Sequence, residues 1–170
     1  EPRADELGAL DEPLSLSRES PLLRSGLAFA GANLRRSGDE DGILTALEAS
    51  SLDLDGTALV VLSACDSGVG TASRGEGVYG LRRALVIAGA ATQVMSLWRV
   101  DDEATRDLMI GYYAALRVGE GRGEAMRRAQ RALLARPEMA HPYFWASFIV
   151  SGDASPLPAG LVAAAPAKVA

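Results

Sequence analysis

Cysteine, histidine and lysine each occur once in the 170 residues, as Cys65, His141 and Lys168. A single cysteine excludes an internal disulfide framework and suits a reducing compartment such as the cytoplasm. One Cys and one His cannot supply the four such ligands of a typical structural zinc site, so no metal is expected. The lone lysine, two residues from the end, excludes a P-loop, which needs a lysine beside its glycines. Long apolar runs are missing too. The most apolar stretch, Ala84 to Met95, is broken by Gly89, Thr92 and Gln93 and falls short of the ~18 apolar residues of a membrane helix. Basic excess is also absent: the net charge is −5 and the isoelectric point about 4.9, which argues against nucleic acid as the main partner.

What is present is the composition of a soluble globular chain, 48% hydrophobic and 23% charged. Its length suits one domain of roughly 150 residues. The charge is uneven. Residues 1–55 hold 12 acids against 5 arginines, whereas residues 116–136 hold 6 arginines against 2 glutamates. Residues 1–20, with six acids and two prolines, read as an acidic loop, and a start inside such a loop is expected of a piece of a longer protein. Residues 21–153 read as the folded domain, and the Ala/Pro-rich residues 154–170 as a flexible tail. No basic-then-apolar leader marks a secretory signal.

Inside the domain, strand-like and helix-like segments alternate. Gly26 to Ala30 is a short strand candidate, and Ile43 to Ala49 has the length of one or two helical turns. Ala58 to Ser63 is a nearly continuous apolar run, the mark of a strand covered on both faces. After a glycine-rich loop, Glu76 to Gly89 lines up Val78, Leu81, Leu85 and Ala88 on one helical face. Thr92 to Trp98 is the next strand. Asp101 stands where an N-cap belongs, ahead of Asp102, Glu103 and a helix running to about Leu116. Gly119, Gly121 and Gly123 interrupt the chain before a helix over Glu124 to Arg136, ended by Pro137. Phe144 to Val150 is the closing strand. The alternation predicts an α/β domain with a mostly parallel sheet and flanking helices.

In such sheets, ligands bind at the carboxyl ends of the strands. Cys65 lies just past the most hydrophobic strand, where backbone amides and a helix N-terminus favour a thiolate and can hold an oxyanion. Position alone, however, favours the other reading, a small buried hydrophobe at a strand end, since perturbed thiols are the minority case. Gly75-Glu-Gly-Val-Tyr-Gly80 has dinucleotide spacing, with Asp101 and Asp102 beyond it. About a dozen residues separate it from its strand, however, so helix packing by small residues is preferred and no cofactor is expected. A Cys–His pair is a common way to activate a thiol. If the closing strand ran parallel to the others, His141 at its start would lie about 17 Å from the crevice, which favours a capping or packing role. Asp101 and Asp102, just past the second strand, are read first as helix capping and second as a site for a cationic group. Arg127, Arg128 and Arg131 give one helix a basic surface, either solvated or docked on the acidic segment or another domain.

Taken together, three runs carry a resemblance: Leu59-Val-Val-Leu-Ser-Ala-Cys-Asp-Ser-Gly68, Gly75-Glu-Gly-Val-Tyr-Gly-Leu81 and Ser96-Leu-Trp-Arg-Val-Asp-Asp-Glu-Ala-Thr105. With Ala129-Gln130, His141-Pro-Tyr-Phe-Trp-Ala146 and Gly152-Asp153, they are similar, in order, to the signatures of the CHAT family. These are caspase-like cysteine peptidase domains often joined to tetratricopeptide repeats. The resemblance implies a caspase-like fold with Cys65 as nucleophile, peptide hydrolysis through a thioester, and a protein or peptide substrate. It implies substrate contacts at Asp66, Ser96, Trp98 and Arg99, where the strand end would pair with an extended peptide. One departure stands out. The family's catalytic base belongs to a His-Gly motif on an earlier strand, and no histidine precedes Cys65 here. The expectation is therefore that the chain lacks the His-bearing N-terminal strands and is inactive alone; the alternative is a non-catalytic signalling module.

Overall fold

The computed structural model describes residues 21–23, 25–30, 32, 42–63, 76–98 and 101–161. Two short strands, β1 (Gly26–Ala28) and β2 (Ile43–Thr45), pair antiparallel, with Leu27 opposite Leu44. A single helical turn, α1 (Ala46–Ala49), follows at once. Its start is fixed by a capping box: the Thr45 hydroxyl accepts from the Glu48 amide at 3.2 Å, and the Glu48 carboxylate accepts from the Thr45 amide at 2.7 Å. The segment read as helix from Ile43 is thus a strand for three residues and a helix for four.

The second sheet has the order β3 (Val60–Leu62), β4 (Thr92–Ser96), β5 (Phe148–Gly152). Helix α2 (Glu76–Ile87) connects β3 to β4, which run parallel in the register Val61 opposite Val94. A parallel pair needs such a crossover, because a tight turn can only reverse the chain. The α/β class holds. Among the described residues β3–β4 is the parallel pairing, and β5 is added antiparallel to β4, with Phe148 opposite Ser96 and Gly152 opposite Thr92.

Side chains alternate across the sheet and each face has its own core. Val61, Val94, Phe148 and Val150 belong to a core shared with α3 (Asp102–Arg117), α4 (Arg122–Leu134) and α5 (Pro142–Trp145). Leu62 and Met95 face the other way, onto Leu81 and Ala84 of α2 and Ala46 and Ala49 of α1. All five residues of β4 are buried, those of β3 only partly so. That gradient follows from position: β4 is the central strand, and β3 is the edge among the described residues. Helices α3 and α4 approach closely where Gly111 meets Ala129; a Cβ at Gly111 would lie 3.5 Å from the Ala129 methyl.

Arg122 closes the end of the sheet away from the carboxyl ends of β3 and β4. It is 2% exposed. Its guanidinium donates to the carbonyls of Ser155 (2.8 Å) and Ala58 (2.7 Å) and to an Asp153 carboxylate oxygen (2.6 Å). The Ser155 amide and hydroxyl, with Arg122 beside them, hold the Asp153 carboxyl below the usual carboxylate range. Ser155 and Pro156, at the start of the segment read as a tail, are held here, with Pro156 bridged to Gly121.

Candidate functional site

The parallel register sets the geometry of the crevice. Leu62, the last residue of β3, lies opposite Met95. Cys65 follows Leu62 by three residues, as Trp98 follows Met95. Cys65, Asp66 and Arg99 lie outside the described residues, as do Val100 and the glycine-rich loop to Gly75. Of the expected substrate contacts, Ser96 and Trp98 are described. Ser96 is 4% exposed and ends β4. The pairing with the closing strand runs one step further, as the Leu97 amide donates to the Ser147 carbonyl at 2.8 Å. The chain then emerges at the surface, with Leu97 40% and Trp98 38% exposed.

Trp98 does not stand alone. Its indole N–H donates to the Tyr143 carbonyl at 3.3 Å. The Tyr143 amide in turn donates to His141 Nδ1 at 3.2 Å, so His141 is the N-cap of α5, with Pro142 at the first helical position. This overturns the distance argument made for a parallel closing strand. Because β5 runs against β4, its first residue sits beside the last residue of β4, and the His141–Trp145 segment lies at the crevice end. The capping role expected of His141 is what the structure shows, at the other end of the strand. The cap uses Nδ1 as acceptor, which leaves the neutral ring's proton on Nε2. Residues 144–146, read as strand, complete the helical turn instead. The dipeptide His141-Pro142 was the available signal, since proline favours the first position of a helix.

Asp101 is a cap as well. Its Oδ1 accepts from the Ala104 amide at 2.9 Å, and its backbone carbonyl accepts the Thr105 hydroxyl at 2.7 Å. Asp102 stands exposed in the first turn of α3, where a carboxylate suits the positive end of the helix dipole. On α4, Arg127 is bonded to Glu124 and Arg128 to Glu120, so two of the three arginines of the basic face already have carboxylate partners. Gly80 is buried inside α2, and that helix starts well past the end of β3, as the packing reading of the glycine motif requires. No group of three or more His, Cys, Asp or Glu that could hold a metal occurs among the described residues. No helix among them is long and apolar enough to cross a membrane.

The family model for the CHAT domain matches residues 13–153. Tetratricopeptide repeat protein 28 of Homo sapiens is 29% identical over 111 residues, covering 65% of this chain. The Mus musculus protein of the same name matches equally, at 29% over 111 residues. The matched stretch makes up 4% of the length of these relatives.

Proposed function

The chain belongs to the CHAT domain family, and from that premise we propose that it is the nucleophile-bearing part of a caspase-like cysteine endopeptidase. In this reading the Cys65 thiolate attacks the scissile carbonyl carbon. A C–S bond forms while the carbonyl electrons move to oxygen, and the Cys65 amide helps to hold that oxyanion. Collapse expels the amine, which takes a proton from the imidazolium of the base. Water then hydrolyses the thioester and returns the thiol. No cofactor is needed, and the thiol nucleophile suits a reducing, cytoplasmic setting.

The observation that carries this reading is the β3–β4 register. It sets the ends of β3 and β4 level, Leu62 opposite Met95, at the carboxyl ends of two parallel strands, where α/β sheets bind ligands; in sequence Cys65 follows the one and Ser96–Arg99 the other. The base is a histidine on a strand outside this chain, because His141 already spends Nδ1 on a helix cap. Such a strand fits beside β3, at the edge of the sheet among the described residues. Tetratricopeptide repeats, present in the relatives' name, are proposed elsewhere in the same protein.

The test is intact-mass analysis after labelling with a peptide-like electrophile, with and without the segment preceding Glu1 in the parent protein. Cys65 is expected to be modified only with that segment present, and Cys65→Ala to abolish labelling. Absence of selective labelling in both forms would leave Cys65 structural. It would favour a second reading, a non-catalytic interaction module, which the capping role of the single histidine already supports.

A further inference from the structure

We propose that the outer face of α2 is a docking surface for a segment of this same chain, Asp5-Glu-Leu-Gly-Ala-Leu-Asp-Glu12. This goes beyond the peptidase reading and does not depend on it. Tyr79, Arg82, Arg83, Val86 and Ile87 recur at helical spacing, which places them within about 140° of the circumference of α2. Leu81, Ala84, Leu85 and Ala88 fill the opposite arc and are buried. A helix face turned to water normally carries polar residues. Here Tyr79, Val86 and Ile87 are 54–68% exposed, the other two residues are arginines, and no acid stands among them. Arg127 and Arg128 of α4 are bonded to glutamates, whereas Arg82 and Arg83 have no carboxylate partner among the described residues. Exposed apolar surface rimmed by charge marks a site of interaction.

The chain itself supplies a complement. Residues 1–20 lie outside the described residues. Four of their six acids stand in two pairs, Asp5-Glu6 and Asp11-Glu12, on either side of Leu7 and Leu10. The leucines suit the apolar residues of α2, and the acid pairs suit its two arginines. This segment precedes the family match, which begins at residue 13. The chain also enters the fold beside α2: the turn Pro21–Leu23 packs against α1 and α2, with Leu22 on the core that includes Leu81 and Ala84. Residues 13–20 span up to ~26 Å when extended. The 12 residues of α2 measure ~18 Å, so the tether reaches the whole face. A second copy on the same face would set arginine against arginine. An anionic membrane would have to attract a chain of net charge −5.

Disulfide trapping in the parent protein, with Cys65→Ser, tests the docking. Leu10→Cys is combined either with Val86→Cys or with Ile110→Cys, which is comparably exposed on α3. Mild oxidation is expected to join positions 10 and 86 within one molecule at least tenfold faster than positions 10 and 110. Arg82→Glu with Arg83→Glu is expected to remove that advantage. Adding Asp11→Arg and Glu12→Arg is expected to restore it, with the melting temperature unchanged throughout. Equal rates at both positions, or an advantage indifferent to charge reversal, would overturn the proposal. So would a disulfide joining two molecules, which would identify a second copy as the occupant. Maleimide labelling of Val86→Cys alone separates the other occupants. Blocked labelling without the disulfide would mean that another part of the parent protein covers α2, and labelling blocked only by phosphatidylserine vesicles would mean a membrane; either result overturns the proposal. Cys65 takes no part, so every outcome is independent of its reactivity.

Discussion

Polar groups in the interior separate residues that hold the fold from residues that merely sit in it. Arg122 is the first kind: buried, and matched by two carbonyls and a carboxylate that tie the base of β3 to the segment after β5. Tyr112 is the second. It is fully buried in the core between α3 and the sheet, and its hydroxyl has no partner among the described residues. Burial pushes its phenol up to about 12. Since the folded value lies above the usual 10, the folded state favours the neutral phenol. Its contribution is complete below pH ~10 and is lost as pH climbs toward 12. Tyr112→Phe removes the desolvated hydroxyl without leaving an orphan. Urea titration is expected to show stability unchanged or raised by up to about 1 kcal/mol, with the alkaline step near pH 12 gone from tyrosinate absorbance. A loss above about 1 kcal/mol would instead reveal a partner for the hydroxyl.

At the scale of elements, local chemistry decides where the chain turns, and two glycines show how much context adds. Gly119 and Gly152 both have positive φ, +86° and +100°. A Cβ at Gly119 would meet open space, whereas at Gly152 it would lie 2.2 Å from the Ala91 carbonyl oxygen, in the strand pairing. Gly119→Ala is expected to cost about 1 kcal/mol, the conformational part alone. Gly152→Ala is expected to cost about 3 kcal/mol or more, because β4 and β5 must separate there. Paired melts of the two variants check this, and equal shifts would refute it. The same contrast between local and distant causes explains what was legible in the sequence. The Asp101 cap, the apolar β3 run and the amphipathic α2 were readable because short-range chemistry sets them. The capping box at Thr45 and Glu48 was equally readable, yet the apolar run Ile43–Leu44 masked it as helix. The direction of β5 was not legible. It depends on how α4 and the turn at Pro137 return the chain to the sheet, and no residue within Phe148–Gly152 encodes that. Since the placement of His141 hung on that direction, the hydrogen bond from the Trp98 indole to the Tyr143 carbonyl was hidden too. The expectation for Cys65 came from motif and strand position, and Cys65 itself lies outside the described residues.

On the scale of the whole molecule, the sheet has two edges among the described residues. Helices cover both faces, β4 has a partner on either side, and β5 forms one edge, paired with β4 alone. On the other flank β3 is an apolar, half-buried strand, paired on one side only among the described residues. In a strand, alternate residues direct their N–H and C=O groups to opposite sides, so part of β3's backbone points away from β4. An apolar edge of this kind recruits another strand, from its own chain or from a second molecule. The proposed His-bearing strand would satisfy those groups and at the same time bring a base to the thiol, so completing the sheet and completing the site become one event. Hydrogen exchange read on peptides spanning residues 58–63 separates the two states. Amides on the free side of β3 are expected to exchange quickly in the 170-residue chain and to become protected in the longer protein. Concentration-dependent association is expected to fall in parallel. Equal protection in both forms would mean that the edge is already covered, and the histidine would then have to approach Cys65 from elsewhere.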